Sequence, residues 1–185
     1  MKRSLVLLAL AAAAAAVSAP GQSVFTPGVR PFVTEEAPVI ALEHVRVIDG
    51  TGAAAREDQT VVLSHGKIAS VGDASSAAIP QDAKVLDLHG RTVIPGLVGM
   101  HDHMFYPAGD GIFSEMGYSF PRLYLAGGVT TIRTAGSLEP YTDLSLKHAI
   151  DAGETPGPKI HATGPYLEGK GSWALQMHQL TGTVQ

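Results

Sequence analysis

Short stretches in which apolar and polar residues alternate dominate the chain from position 39 to position 94. They predict β-strands at 39–48, 59–63, 67–71 and 84–88, because successive side chains of a strand point to opposite faces. Ser64-His65-Gly66 separates two of these strands and predicts a tight hairpin with positive φ at the glycine. This half of the chain is therefore expected to be entirely β.

The pattern changes after Gly96, where apolar strand segments alternate with helical ones. The segments 95–101, 130–134 and 159–163 predict strands, and the segment 105–118 predicts a long glycine-containing loop. Such alternation of strand and helix is typical of a parallel α/β sheet.

Two helices are expected between these strands. Ser119 can cap the first helix, whose first turn tolerates Pro121 and whose end is marked by Gly127-Gly128. The second can be capped by Thr142 or by Asp143, and Gly153 ends it. Its core-facing positions are Leu146, Ala149 and Ile150.

The N-terminus carries the pattern of an export signal. Residues 1–19 combine a basic start at Lys2 and Arg3, an apolar run over 5–17 and a small-residue cleavage region. The apolar run is shorter than the roughly 20 residues of a membrane-spanning helix. We therefore expect a signal peptide, a periplasmic or secreted protein, and no membrane span after signal removal. Residues 20–38 contain four prolines and predict an extended linker.

Composition narrows the range of partners. The chain has 185 residues, a net charge of −4 and no basic patch, which argues against a nucleic-acid partner. It contains no cysteine, so disulfides are excluded. A small-molecule substrate is expected, and homo-oligomerisation is left open.

The histidine pair His101 and His103 is the most informative chemical feature of the sequence. On an extended strand the two imidazoles share one face while Asp102 points to the other. The preceding apolar residues predict a buried parallel strand, so the pair would lie at its carboxyl end, where α/β barrels place their chemistry. Two neighbouring imidazoles form half of a site for a transition metal such as zinc.

The segment Pro95-Gly96-Leu97-Val98-Gly99-Met100-His101-Asp102-His103 resembles the metal-binding signature of the amidohydrolase superfamily, in which paired histidines end the first barrel strand. Gly99 stands where that signature usually carries Asp. Among subfamilies the chain looks most like imidazolonepropionase-like and prolidase-like enzymes. The segments that carry the resemblance are 47–52, 65–72, 85–96, 95–103 and 127–133.

The resemblance implies an α/β fold class. A small β-sandwich domain at 39–94 would precede the first three strands of a (β/α)8 barrel at 95–185. Because such a barrel typically needs about 250 residues, both units are expected to be incomplete and the chain to be the N-terminal part of a longer enzyme.

The resemblance also implies a divalent metal, with zinc as the expected ion and one or two ions in the complete enzyme. His101 and His103 would be its ligands, and the remaining ligands and the proton-shuttling aspartate would lie beyond residue 185. The implied reaction is hydrolysis of a C–N bond in a cyclic amide, an amidine or an Xaa-Pro dipeptide, with lactones also open. The fragment alone is expected to be inactive.

Three further residues are candidates for substrate binding: Tyr106, Arg133 and Tyr166. Tyr106 and Tyr166 follow predicted strands, and Arg133 lies near the end of one. The sequence assigns no catalytic residue. Two alternatives remain open at this stage: a catalytically inactive amidohydrolase-like binding protein, and a truncated fragment that is not an enzyme.

Overall fold

The computed structural model describes residues 25–167 of the chain. The predicted signal peptide at 1–19, the first residues of the predicted linker and the C-terminal part of the predicted barrel segment lie outside this range. A short 3₁₀ turn at Arg30–Phe32 is followed by ten strands and two α-helices. No helix among residues 25–167 is long and apolar enough to cross a membrane.

The first half of the described chain forms one mixed five-stranded sheet. Its strands are β1 (Val39–Val47), β2 (Arg56–Ser64), β3 (Lys67–Asp73), β4 (Lys84–Asp87) and β5 (Thr92–Val93). The order is β3-β2-β1-β4, with β5 pairing further along β1. β1, β2 and β3 are antiparallel neighbours, whereas β4 and β5 run parallel to β1.

The turn between β2 and β3 has the predicted conformation. Gly66 has a φ of 75° and His65 a φ of 49°, so both turn residues are left-handed, as a two-residue hairpin requires. Small and β-branched residues of β1 and β2 form two separate buried clusters, one of Val39, Ala41 and Val62 and one of Val45, Val47 and Val61. Val61 and Val62 are consecutive strand residues, so the two clusters lie on opposite faces of the sheet. Residues 39–94 supply only this one sheet, so the second layer of the predicted sandwich stays a prediction.

The second half contains a three-stranded parallel sheet covered by helices on one face. Its order is β10-β9-β6. The remaining elements are β6 (Leu97–Asp102), β7 (Phe105–Gly109), β8 (Ile112–Glu115), α1 (Ser119–Ala126), β9 (Val129–Thr134), α2 (Pro140–Asp151) and β10 (Lys159–His161). This agrees with the predicted parallel α/β pattern. The three strands form an open sheet here, and closure into a barrel stays a prediction.

The prediction of a long loop at 105–118 is wrong for most of that segment. β7 and β8 form an antiparallel hairpin there. Its turn contains Asp110 with a φ of 53° and Gly111 with a φ of 73°. Asp-Gly is a strong hairpin signal, but Pro107 in the first strand weakens the strand pattern. A two-stranded hairpin tolerates this proline because one side of each strand needs no partner.

The predicted helix caps also differ from the structure. Ser119 is the first residue of α1, Tyr118 is its N-cap, and no side chain caps the helix. α2 begins with Pro140, which suits the first helical position because its missing N–H would have no partner there. Asp143 is consequently inside the first turn of α2, where it is buried. Gly127 and Gly153 end the helices as predicted.

The core of this half lies between the parallel sheet and the two helices. Ile132 and Ile160 project from β9 and β10 and pack with Met104 and Leu146. Alternation along the strands therefore directs their neighbours Arg133 and His161 to the opposite, exposed face. The packing of one sheet face against the helices thus fixes the orientation of the parallel strands, and the histidine pair lies at the end of one of them, β6.

Candidate metal centre

His101 and His103 lie side by side where β6 ends. His101 is the penultimate residue of the strand and is exposed, whereas His103 follows the strand and is half-buried. Their ring centroids are 5.3 Å apart and the ring planes meet at 83°. The two imidazoles are therefore neighbours at the carboxyl end of a parallel strand.

A β-bulge in β6 carries His101. Gly99 pairs with Ile132 and Asp102 pairs with Thr134, so β6 has two residues between these pairs where β9 has one. Bulges commonly redirect a side chain near an active site. Strict alternation, on which the sequence analysis relied, is broken within this short segment.

Asp102 lies on the helix side of the sheet as a result of the bulge. In-register neighbours share a face, and Thr134 is buried on the face that Ile132 presents to the helices. Tyr124 of α1 lies close to Asp102 and donates a hydrogen bond from its hydroxyl to the backbone oxygen of His103, over 3.2 Å. Burial and then the negative charge of Asp102 raise the pKa of Tyr124 to about 12.

Three groups surround the His103 ring. Nδ1 lies 3.3 Å from the backbone oxygen of Gly136 and 3.5 Å from the Tyr166 hydroxyl, and the Phe105 ring centroid is 4.6 Å from that of His103. A carbonyl oxygen only accepts hydrogen bonds, so the shorter contact requires the proton on Nδ1. Nε2 of His103 then carries the lone pair that a metal ion needs.

A threonine pair holds the loop that presents the Gly136 carbonyl. The hydroxyls of Thr134 and Thr163 are 3.1 Å apart, and the Thr163 hydroxyl also accepts a 2.8 Å hydrogen bond from the Gly136 N–H. Gly136 has a φ of 104°, and a Cβ at this position would lie 2.4 Å from the Tyr166 ring. Glycine is therefore required both by the backbone conformation and by the packing of Tyr166.

Two carboxyl groups, one buried and one half-buried, lie near this end of the sheet. Asp143 is 2% exposed and Glu115 is half-buried, and each has one carboxylate oxygen without a hydrogen-bond partner in the described structure. Burial raises the pKa of Asp143, an effect that the Ser137 hydroxyl opposes by hydrogen bonding and that His103 opposes when its ring is protonated. Burial, together with repulsion from Asp143 and Glu139, raises the pKa of Glu115 to about 7.

The structure brings only one of the three predicted substrate-binding residues to the histidine pair. Tyr166 contacts His103, as described above. Arg133 is exposed on the open face of the sheet, where it lines a groove with Met100 and His161. Tyr106 is 62% exposed on β7, and its ring lies against Phe120 of α1.

Sequence reasoning missed Phe105, Gly136 and Asp143. Phe105 could have been found, because it follows His103 by two residues and so continues the same strand-like spacing. Gly136 and Asp143 carry no such local signal, since their place near His103 depends on how β9 and α2 pack. Trp173, which also follows the third predicted strand, lies outside the described residues.

The donor set fits half of a metal site. Two imidazoles are suitable ligands for zinc, but a zinc site needs three or four protein ligands. Among residues 25–167, no group of three or more His, Cys, Asp or Glu side chains is placed to hold a metal ion. Further ligands would therefore have to come from outside the described part of the chain.

Comparison with known proteins reveals several relatives, although no protein-family model matches the chain. A dihydroorotase from Anaeromyxobacter dehalogenans (strain 2CP-C) is 32% identical over 143 residues, covering 74% of this chain and 31% of the relative. An imidazolonepropionase from Nocardia farcinica (strain IFM 10152) is 40% identical over 76 residues, covering 41% of this chain and 19% of the relative. The chain thus spans less than a third of the length of these two curated relatives.

The fold also matches solved structures. A prolidase solved in complex with N-methylphosphonate-L-proline has a TM-score of 0.57 at 25% identity, and the match covers 72% of this chain and 33% of that one. The sequence match to the dihydroorotase and the fold match to the prolidase thus each cover more than 70% of this chain.

Proposed function

We propose that this chain, which belongs to the amidohydrolase superfamily, is part of a metal-dependent hydrolase that acts on a carbon–nitrogen bond. The relatives that it matches are hydrolases of this type, which supports the reaction class. The substrate is proposed to be a small molecule with a non-peptide C–N bond or an Xaa-Pro bond. The predicted signal peptide supports a periplasmic or secreted location.

The observation that carries the proposal is the geometry of the histidine pair. Two imidazoles lie with centroids 5.3 Å apart at the carboxyl end of a parallel strand, and the Gly136 carbonyl favours a free Nε2 on His103. In this arrangement both rings can contribute a nitrogen to one divalent ion, with zinc as the expected metal. Such an ion supplies Lewis acidity, which activates water for attack and polarises the substrate.

The other residues near the pair hold it in place. The Gly136 carbonyl and the Tyr166 hydroxyl both approach Nδ1 of His103, so they restrict rotation of its ring. The Phe105 ring covers one side of His103 and limits the access of water to it. We assign Tyr166 to positioning His103. Arg133, on the open face of the sheet, remains the candidate for contact with a substrate.

Metal analysis of the full protein tests the ligand assignment. Purified protein should contain a stoichiometric divalent metal, and His101→Ala and His103→Ala should each reduce metal content and abolish turnover. His148→Ala is a matched control, because His148 is exposed on α2 and should leave both unchanged. Full metal content and activity in either histidine variant would contradict the proposal.

A substrate panel tests the reaction class. Cyclic amides, amidines, Xaa-Pro dipeptides and lactones should be offered to the metal-loaded full protein. Hydrolysis of a C–N substrate that is lost on chelation and restored by zinc would support the proposal. A stoichiometric metal without turnover on any of these classes would instead favour the inactive binding protein.

A further inference from the structure

Gly99 has its side-chain space occupied by another residue of the same strand. A Cβ added to Gly99 would lie 1.9 Å from Oδ2, 2.7 Å from Cγ and 3.1 Å from Oδ1 of Asp102. These three nearest heavy atoms all belong to one carboxylate. Since real Cβ contacts below 3 Å are essentially absent, Asp102 can keep this position only if residue 99 has no side chain.

The bulge brings the two residues together. Residues three apart on a regular strand point to opposite faces, but the extra residue of β6 puts Gly99 and Asp102 on the same side. The carboxylate of Asp102 folds back into the bulge. Its Oδ2 is buried and has no hydrogen-bond partner in the described structure, so the contact with Gly99 is one of shape. The Tyr124 side chain also forms a hydrogen bond with this carboxyl group.

The backbone at Asp102 and His103 is hydrogen-bonded to two neighbouring parts of the fold. The backbone oxygen of Asp102 accepts a 2.9 Å hydrogen bond from the Ala135 N–H, and the Tyr124 hydroxyl of α1 donates to the backbone oxygen of His103. The two peptide units that follow the Asp102 side chain are thereby tied to Ala135, directly after β9, and to α1. The backbone on which the Asp102 side chain is mounted is therefore held by its neighbours, and a clash at residue 99 would first displace the carboxylate itself.

We propose that the Asp102 carboxylate, packed into the empty side-chain space of Gly99, stabilises the β6 bulge and so orients His101 toward His103. Asp102 is then a positioning residue that acts through the backbone and does not touch the metal. The proposal rests on the proposed function for the role of His101 as a ligand. The amidohydrolase signature usually carries Asp at position 99; here a carboxylate lies beside that position but comes from Asp102.

A double-mutant cycle in the full protein tests the proposal, with cobalt(II) affinity and the cobalt d–d spectrum as readouts. Gly99→Ala should displace the carboxylate, weaken cobalt binding about 10- to 100-fold and change the spectrum. Adding Asp102→Ala removes all three clashing atoms, so the double variant should recover to the affinity of Asp102→Ala alone, which lacks the packed carboxylate but contains no clash. The proposal would be overturned if the loss of cobalt-binding free energy in the double variant equalled the sum of the losses in the two single variants.

The conservative variant separates shape from charge. Asp102→Asn keeps the shape of the side chain, so it should preserve the cobalt spectrum of the wild type. In the Gly99→Ala background, Asp102→Asn should not restore binding, because the clash remains. Restoration by the asparagine variant would show that the charge is what matters and would also overturn the proposal.

Gly96 offers a matched control on the same segment. A Cβ at Gly96 would lie 2.0 Å from Oγ1 of Thr130, so Gly96→Ala creates a clash of similar severity that does not involve Asp102. Asp102→Ala should therefore fail to rescue Gly96→Ala. Rescue of both alanine variants would indicate general relaxation of the sheet and would refute a specific Gly99–Asp102 contact.

The urea midpoint separates failure of this inference from failure of the proposed function. If wild-type protein binds no cobalt, the proposed function fails. The urea midpoints of the wild type, the Gly99→Ala and Asp102→Ala variants and the double variant still test the steric coupling. If Gly99→Ala is insoluble, recovery of soluble protein in the double variant supports the coupling. An insoluble double variant, with Asp102→Ala alone soluble, contradicts it.

Discussion

Replacing Glu115 by Gln should stabilise the protein at alkaline pH and leave it almost unchanged at acidic pH. Glu115 pairs with Phe105 across the β7–β8 hairpin, and its Oε2 is buried without a partner in the described structure. Burial, followed by repulsion from Asp143 and Glu139, raises the pKa of this carboxyl from 4.5 to about 7. Gln keeps the shape of the side chain and removes the charge.

The sign of the effect follows from proton linkage. Between pH 4.5 and pH 7 the native state holds a proton that the unfolded chain has lost, so the free energy of unfolding falls as pH rises through this window. Below pH 4.5 both states are protonated and the penalty is absent. Above pH 7 the native carboxylate is charged and the penalty is complete.

The magnitude is limited by the partial exposure of Glu115. At ~1.36 kcal/mol per pH unit, a pKa raised to about 7 sets an upper bound of roughly 3 kcal/mol. Solvent screening reduces this bound for a half-buried group, which leaves about 1–2 kcal/mol. Glu115→Gln should thus exceed the wild type by this amount at pH 8.

Urea unfolding followed by circular dichroism at pH 4.5 and pH 8 measures the difference. Asp110→Asn is the control, since it removes an exposed carboxylate from the turn of the same hairpin. A residual decrease with pH in Glu115→Gln is expected from Asp143, whose pKa burial also raises. The same stability difference between wild type and Glu115→Gln at both pH values would refute the reasoning.

Two further predictions concern the core and the N-terminus. Ile132→Ala should lower the free energy of unfolding by about 2–5 kcal/mol, because Ile132 is fully buried between sheet and helices. Ile68→Ala, at a 69% exposed site, should lower it by less than about 1 kcal/mol. Equal urea midpoints of these two variants would contradict the assigned core. Residues 1–30 fused to a reporter protein should carry it across the inner membrane, and the signal peptide should be cleaved off. A full-length fusion retained in the cytoplasm would show that residues 1–19 are not an export signal.

The helix boundaries show how far local patterns reach. Gly127 and Gly153 end the helices where the sequence predicts, because the left-handed backbone at Gly128 and Gly153 is a local preference of glycine. The starts were predicted less well. Ser119 and Asp143 have capping side chains, yet Tyr118 and Glu139 precede the first helical residues. Pro140 and the packing of Asp143 against the core shifted the start of α2 toward the N-terminus.

The sequence by itself determined the strands other than β5, β7 and β8, the β2–β3 turn and the presence of two histidines at the end of a parallel strand. These features depend on side-chain alternation and on residues with left-handed backbone preferences, which act over a few positions. The predicted export and the domain boundaries also come from the sequence alone and stay predictions.

The tertiary structure decided how the histidine pair is held. Gly136 and Tyr166 reach His103 from 33 and 63 residues away, and the pair of Thr134 and Thr163 joins the end of β9 to the segment that follows β10. The bulge that brings Asp102 against Gly99 exists because β6 has one more residue than β9 between two pairing positions. No local pattern contains this information, because register and close packing are set by which strand lies beside which.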